Sequence, residues 1–279
     1  MRLKVHIQNI WPGPDQDKMI GPSTASIYDA QLGLFRDILG PGAELQVRYN
    51  ARSSYFTSCF SMDAYNVVGM LDGLAEAETT GCDVAIIACG NDPALDEGRD
   101  LLSIPVVGLT ESGMLVASQL GKRFGVITMD DASVAIVERN LRTYALEDRA
   151  VRSRPVRSPG FYESGTNWFT DAEYLRGEVI PRFEKVAHGL IEDGADVIVT
   201  ACGNYAAFSV HGYAQVAGTK VPVVEATAAG THMAKLLGEM HRRYGLKTSK
   251  HGAYAGVAPN VAAWAIASAR GEPGPSAAG

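Results

Sequence analysis

CDVAIIACGNDPAL (residues 82–95), followed by IPVVGLTESG (104–113), has a second version later in the chain: ADVIVTACGNYAAF (195–208), followed by VPVVEATAAG (221–230). In each copy an apolar run leads into Ala-Cys-Gly-Asn, then a helical stretch, then Pro-Val-Val, then a second helix start. Wholly apolar runs such as Val84–Ala88 and residues 197–201 suit parallel strands buried on both faces. Likeness among buried strands accounts for the apolar residues, but not for Cys-Gly-Asn recurring at the same place. The chain therefore reads as two copies of one α/β unit related by a pseudo-twofold axis.

Outward from these motifs, strands and helices alternate. In the first copy, strands are expected at 3–7, 44–48, Val84–Ala88 and Val106–Gly108. Ser23 or Thr24 caps a helix carrying Ile27, Ala30, Leu34 and Ile38, and Ser61 caps another that ends near Gly81. In the second copy, strands are expected at 124–128, 150–156, 197–201 and 221–225. A helix carries Val134, Val137 and Leu141, and a helical stretch over 171–191 is interrupted or restarted at Pro181. This alternation implies parallel sheets with right-handed crossovers. The expected division is a first lobe over 1–115, completed by C-terminal helices within 226–270 that pack across the lobes, and a second lobe over 116–225. Residues 271–279 are expected to form a small, polar, disordered tail.

Bulk properties narrow the function. The 279 residues carry a formal net charge of −6, with 20% charged residues. A mildly acidic surface offers no field for nucleic acid or anionic lipid, which leaves a small molecule as the expected partner. The densest basic stretch, 149–157, contains Pro155 and reads as a solvated strand edge or loop. No apolar run approaches the roughly 20 residues that span a bilayer. The N-terminal MRLKVHIQNIWPGP is too short in its apolar part for a signal peptide, so the expected location is cytoplasmic. Four cysteines without Cys-x-x-Cys spacing, and without a tight His/Cys cluster, argue against a disulfide scaffold and a structural zinc site.

Functional groups in parallel sheets collect beyond the carboxyl ends of the strands. Cys89 and Cys202 stand there. Each precedes a glycine that admits close approach, and a helix start whose N–H groups favour negative charge. That setting is expected to lower a thiol pKa. Two thiols on opposite faces of one carbon are what stereoinversion needs: one takes the α-proton and the other returns a proton from the far side. N–H groups at Gly90, Asn91, Gly203 and Asn204 would hold the enolate. A nucleophilic mechanism needs only one cysteine and a partner histidine, and no histidine recurs at matched positions.

These motifs resemble the aspartate/glutamate/hydantoin racemase superfamily, and its hydantoin racemase branch above all. The likeness is carried by IIACGNDPALDEGRDLLSIPVVGLTESG, by KRFGVIT (122–128) and by residues 195–230. It implies two Rossmann-like α/β lobes with the active site between them, no metal, no pyridoxal phosphate and no other cofactor, and it allows a homodimer or larger assembly. It matches the paired cysteines to Cys89 and Cys202. It also implies substrate-binding polar residues after the first strand of each lobe, here Asn9 and Thr128. The chain departs from that branch at Gly-Asn before Asp92, in the loop 50–60 and after Lys235. The expected activity is therefore racemisation or epimerisation of a hydantoin or related amino-acid derivative. Two other readings stand beside it. One is a cis–trans isomerase or lyase using a single thiol, as maleate isomerases do. The other is a non-catalytic small-molecule binding protein.

The remaining candidates carry less chemistry. Ser54, with Ser53, follows the second strand and is a candidate substrate contact. Glu225 ends a strand beside the expected cleft, where it could bind a substrate N–H. Asp92 reads as a helix cap or an N-terminal charge. Cys82 precedes its strand and reads as structural, and Cys59 lies in a loop. His211 and His232 fall on helices. Phe161, Tyr162, Trp168 and Phe169 read as a cleft lid or as a packed loop.

Overall fold

A computed structural model describes residues 2–13, 22–54, 57–162, 165–257, 265–269 and 271–272, without the side chains of 22–26. Eight named strands form two four-stranded parallel sheets. The first has the order β2-β1-β3-β4, with β1 Leu3–Asn9, β2 Ala43–Arg48, β3 Val84–Ala88 and β4 Val106–Gly108. The second has the order β6-β5-β7-β8, with β5 Phe124–Ile127, β6 Val156–Arg157, β7 Val197–Thr200 and β8 Val223–Val224. The two orders are the same once each lobe is counted from its own first strand, as the duplicated sequence requires. This is the expected α/β pair of lobes.

Burial explains why the central strands read so clearly. Val84, Ala85, Ile86 and Ile87 are all inaccessible, as are Val197, Ile198 and Val199. A fully buried Val or Ile contributes about 1.5–3 kcal/mol over exposure, so a polar residue is costly anywhere in these runs. In the first lobe the helices are α1 Pro22–Leu39, α2 Phe60–Leu74, α3 Glu76–Thr79, α4 Leu95–Leu101 and α5 Leu109–Leu120. In the second lobe they are α6 Asp131–Thr143, α7 Thr166–Thr170, α8 Ala172–Tyr174, α9 Ile180–Glu192 and α10 Ala206–Val210. The last long helix, α11 Ala226–Tyr244, packs against β1, β3, β4, α1 and α5.

Helices α5 and α11 hold equivalent places after the fourth strand of each lobe, and they pack on one another. The glycine that ends each Pro-Val-Val motif makes room for this. A side chain at Gly230 would stand 2.6 Å from Leu109 Cδ2 of α5, and one at Gly113 would stand 3.5 Å from Ala226 Cα of α11 and 3.0 Å from Val199 Cγ1 of β7.

Several local expectations differ from the structure. The strand expected over 150–156 is reduced to β6 and an isolated bridge from Ala150 to Phe124. Pro155 removes a donor there, and Arg154 adopts a left-handed φ of 45°. Ser61 does not cap α2: the helix starts at Phe60, and its N-cap Cys59 makes no side-chain cap bond. That helix ends at Leu74 and α3 follows. The restart expected at Pro181 is present: a π-helical turn over Leu175–Val179 gives way to α9 at Ile180, with Pro181 in its first turn, where a missing N–H costs little. The cap expected at Ser23 or Thr24 and most of the tail lie outside the described residues. Beyond α11 the chain runs along the first lobe. Thr248 bonds Ser103 and Ile104, Lys250 Nζ reaches the carbonyls of Arg99 and Asp100, and Tyr254 donates to Asp96.

Candidate active site

Register sets where the reactive groups emerge. Asn9 pairs with Ala88 at the end of β1 and β3, and Ile127 pairs with Thr200 at the end of β5 and β7. The chain then leaves each sheet at Cys89 and at Cys202. Both carboxyl ends open on one cleft of about 390 Å³, lined by Cys89, Gly90, Asn91, Thr128, Cys202, Gly203 and Asn204 together. The two loops touch: a side chain at Gly90 would lie 2.5 Å from Cys202 Cα.

The backbone N–H of the asparagine two residues on, Asn91 for Cys89 and Asn204 for Cys202, favours the thiolate of each cysteine. Both thiols are half-buried at the floor of the cleft. Burial pushes Cys202 up to about 12 and raises Cys89 well above its ordinary value, while the asparagine N–H groups pull each down. The negative charge of one sulfur also raises the other. The lowering expected from a helix start is thus outweighed by desolvation. In the first lobe there is no helix start at that point: α4 begins only at Leu95, after a turn in which Asp92 and Ala94 have φ of 46° and 61°.

Buried carboxylates cap the helices behind the site, from reciprocal positions in the repeat. Asp92 accepts the N–H groups of Thr110 and Glu111 at the start of α5, and the hydroxyl of Tyr144. Glu225 accepts those of Thr227 and Ala228 at the start of α11, and the hydroxyl of Ser209. Asp92 is matched in the repeat by Tyr205, and Glu225 by Gly108. A side chain at Gly108 would stand 2.7 Å from Asp92 Cγ, so the lobe with the early carboxylate needs glycine at the later place. Glu225, read as a candidate substrate contact, is occupied as a cap and is not among the cleft-lining residues.

Not every candidate reaches the cleft. Asn9 turns back to accept the Trp11 N–H at 2.9 Å, and Ser54 donates its backbone N–H to Asn66. Neither lines the cleft, whereas Thr128 does, its hydroxyl bonded to Ala201 O. Of the four aromatics, Phe161 and Tyr162 line the cleft, while Trp168 and Phe169 belong to the core around Tyr205. Cys82 is buried in the core of the first lobe.

Sequence reading missed Trp11, Tyr28, Gln31, Thr57, Ser58, Asp130 and Ser133. Asp130 alone carried a local signal: it is the N-cap of α6 and accepts the Ser133 N–H. Ser58 of the first lobe donates to its other oxygen at 2.8 Å, linking the rims of the cleft. Among the described residues, no three His, Cys, Asp or Glu side chains converge as metal ligands, and no helix is long and apolar enough to cross a membrane.

Residues 19–234 match the family model described as Asp/Glu/Hydantoin racemase. Over 194 residues the chain is 31% identical to a hydantoin racemase of Rhizobium meliloti, covering 69% of this chain and 74% of that protein. A hydantoin racemase of Pseudomonas is 28% identical over 187 residues, 66% of this chain and 68% of that one. Among solved structures, an allantoin racemase from Klebsiella pneumoniae shares the fold with a TM-score of 0.72 at 23% identity, covering 92% of this chain and 94% of its own. A glutamate racemase from Bacillus anthracis does so with a TM-score of 0.57 at 12% identity, covering 88% and 84%. The chain belongs to the Asp/Glu/hydantoin racemase family and is a racemase, an isomerase.

Proposed function

We propose that this racemase works without a cofactor and inverts a carbon next to a carbonyl group, using Cys89 and Cys202 as the two proton-transfer groups. The observation that carries the reading is their equivalence: matched strand ends, one cleft, and the same Gly-Asn peptide beside each sulfur. The thiolate of one cysteine removes the α-proton. The C–H bonding pair moves onto the carbonyl as an enolate. As that pair returns to carbon, the other thiol delivers its proton to the opposite face and becomes the thiolate. Exchange with solvent resets the pair. A desolvated sulfur is a stronger base once ionised, which matches it better to a weakly acidic C–H.

The lining favours a neutral substrate. No Lys, Arg or His lines the cleft among the described residues, and the one charged lining residue, Asp130, is bonded to Ser58 and Ser133. A free carboxylate would enter without a counter-charge, at a cost of several kcal/mol. Ile10, Trp11, Ile27, Met129 and Phe161 supply an apolar wall. A hydantoin, or a related cyclic amino-acid derivative with an apolar substituent, suits this lining.

The test is loss of optical rotation and deuterium uptake in D2O, measured over chiral 5-substituted hydantoins, amino acids and dicarboxylates. The wild type is expected to racemise hydantoins, with Cys89→Ala and Cys202→Ala each at least a hundredfold slower. Normal racemisation by both variants would refute the two-cysteine reading. A covalent adduct trapped on one cysteine alone would favour the single-thiol isomerase.

A further inference from the structure

The Gly-Asn peptide unit beside each sulfur is gripped differently in the two lobes. Beside Cys89 that unit joins the Gly90 carbonyl to the Asn91 N–H, which favours the thiolate. Thr110 of the same lobe donates its hydroxyl to that carbonyl at 2.6 Å. Beside Cys202 the unit joins the Gly203 carbonyl to the Asn204 N–H, which favours the thiolate. Thr227 occupies Thr110's place in the second copy, but its buried hydroxyl bonds no part of the Cys202 loop. Gln31 does instead. It stands on α1 of the first lobe and donates Nε2 to Gly203 O at 3.0 Å, across the cleft.

We infer that Gln31 is a positioning residue for Cys202, supplied by the opposite lobe, and that Thr110 is its counterpart for Cys89 within one lobe. A donor on the carbonyl orients the peptide and polarises its N–H, so the sulfur below is better placed and its thiolate better held. The Cys89 side is set by the first lobe's own fold. The Cys202 side is complete only when α1 of the first lobe sits against the second. This inference rests on the two-cysteine reading above.

Rates alone do not test it. Two enantiomers of equal energy have an equilibrium constant of one, so any variant lowers kcat/KM equally in both directions. The test is the α-deuterium isotope effect, measured separately on each enantiomer. In Gln31→Met, which keeps the length but loses the donor, inversion falls about tenfold or more. Transfer at Cys202 becomes rate-limiting, and the isotope effect rises for the enantiomer whose α-hydrogen faces Cys202. For the other enantiomer it falls toward one. In Thr110→Val the two enantiomers exchange behaviour. Gln31→Ala repeats the measurement should the Met variant misfold, and thermal melting identifies folded samples.

An isotope effect changed equally for both enantiomers, or the same pattern in the Gln31 and Thr110 variants, would show a merely structural role. Wild-type behaviour of the Gln31 variants, with Cys89→Ala and Cys202→Ala inactive, overturns this inference alone. Active cysteine variants overturn the reading beneath it.

Discussion

Gly90 rests on the backbone of Cys202, so that a methyl group added to Gly90 would lie 2.5 Å from both Cys202 Cα and Cys202 N. Each lobe thereby sets how closely the other's sulfur approaches, and the neighbour is main chain that cannot rotate away.

Gly90→Ala is therefore expected to push the two loops apart. Overpacking of this kind costs about 1–3 kcal/mol. A displacement near 1 Å costs a proton-transfer site on the order of a hundredfold in rate. Gly203→Ala meets only the end of Gln31, at 3.0 Å, and is expected to lose much less. Urea unfolding and racemisation assays on both variants check this ranking, and equal losses would contradict it.

Racemisation is expected to rise with pH across the neutral range. Burial holds Cys202 at about 12 and Cys89 well above its ordinary value, so at neutral pH both sulfurs of the empty enzyme are thiols. The thiolate fraction then grows about tenfold per pH unit. For a substrate that does not titrate between pH 6 and 8, kcat/KM is expected to climb steadily. A flat profile there would mean that the thiolate is already formed.

Asp92 links stability to pH with a definite sign. Burial raises its carboxyl from 3.8 to about 7, and Asp63 and Glu225 are raised in the same direction. The folded chain holds this proton more tightly than the unfolded one. The stabilisation is complete below about pH 4 and is lost as pH rises through about 7. Urea unfolding from pH 4.5 to 7.5 should show this as a falling contribution that Asp92→Asn flattens. An identical slope in the variant would refute it.

Thiol labelling is expected to find the wrong cysteine first. Cys59 stands outside the cleft lining, and the Ser61 hydroxyl beside its sulfur holds its thiol below the ordinary value. Iodoacetamide at neutral pH should modify Cys59 ahead of Cys89 and Cys202, with buried Cys82 last, as peptide mass spectrometry would report. Cys59→Ala should keep its racemase activity. Faster labelling of Cys89 would overturn this order.

The duplicated lobes, the buried central strands and the exit of each chain at Ala-Cys-Gly-Asn were legible from sequence, because they rest on local requirements. A strand covered on both faces excludes polar residues, and a loop pressed against another main chain demands glycine, as at Gly90. The short β6 was less legible, since Pro155 and the left-handed Arg154 outweigh the β-branched residues around them.

Tertiary structure alone decided which polar groups line the cleft and how acidic the thiols are. Gln31 meets Gly203 from 172 residues away, and Ser58 meets Asp130 from 72. No local pattern records such pairs. It also turned Asn9 away from the cleft and gave Glu225 to a helix cap. The direction of the thiol shifts shows the same division. A loop sequence announces N–H donors that would lower a thiol pKa, but desolvation sums over atoms from both lobes, and only the folded chain brings those atoms together.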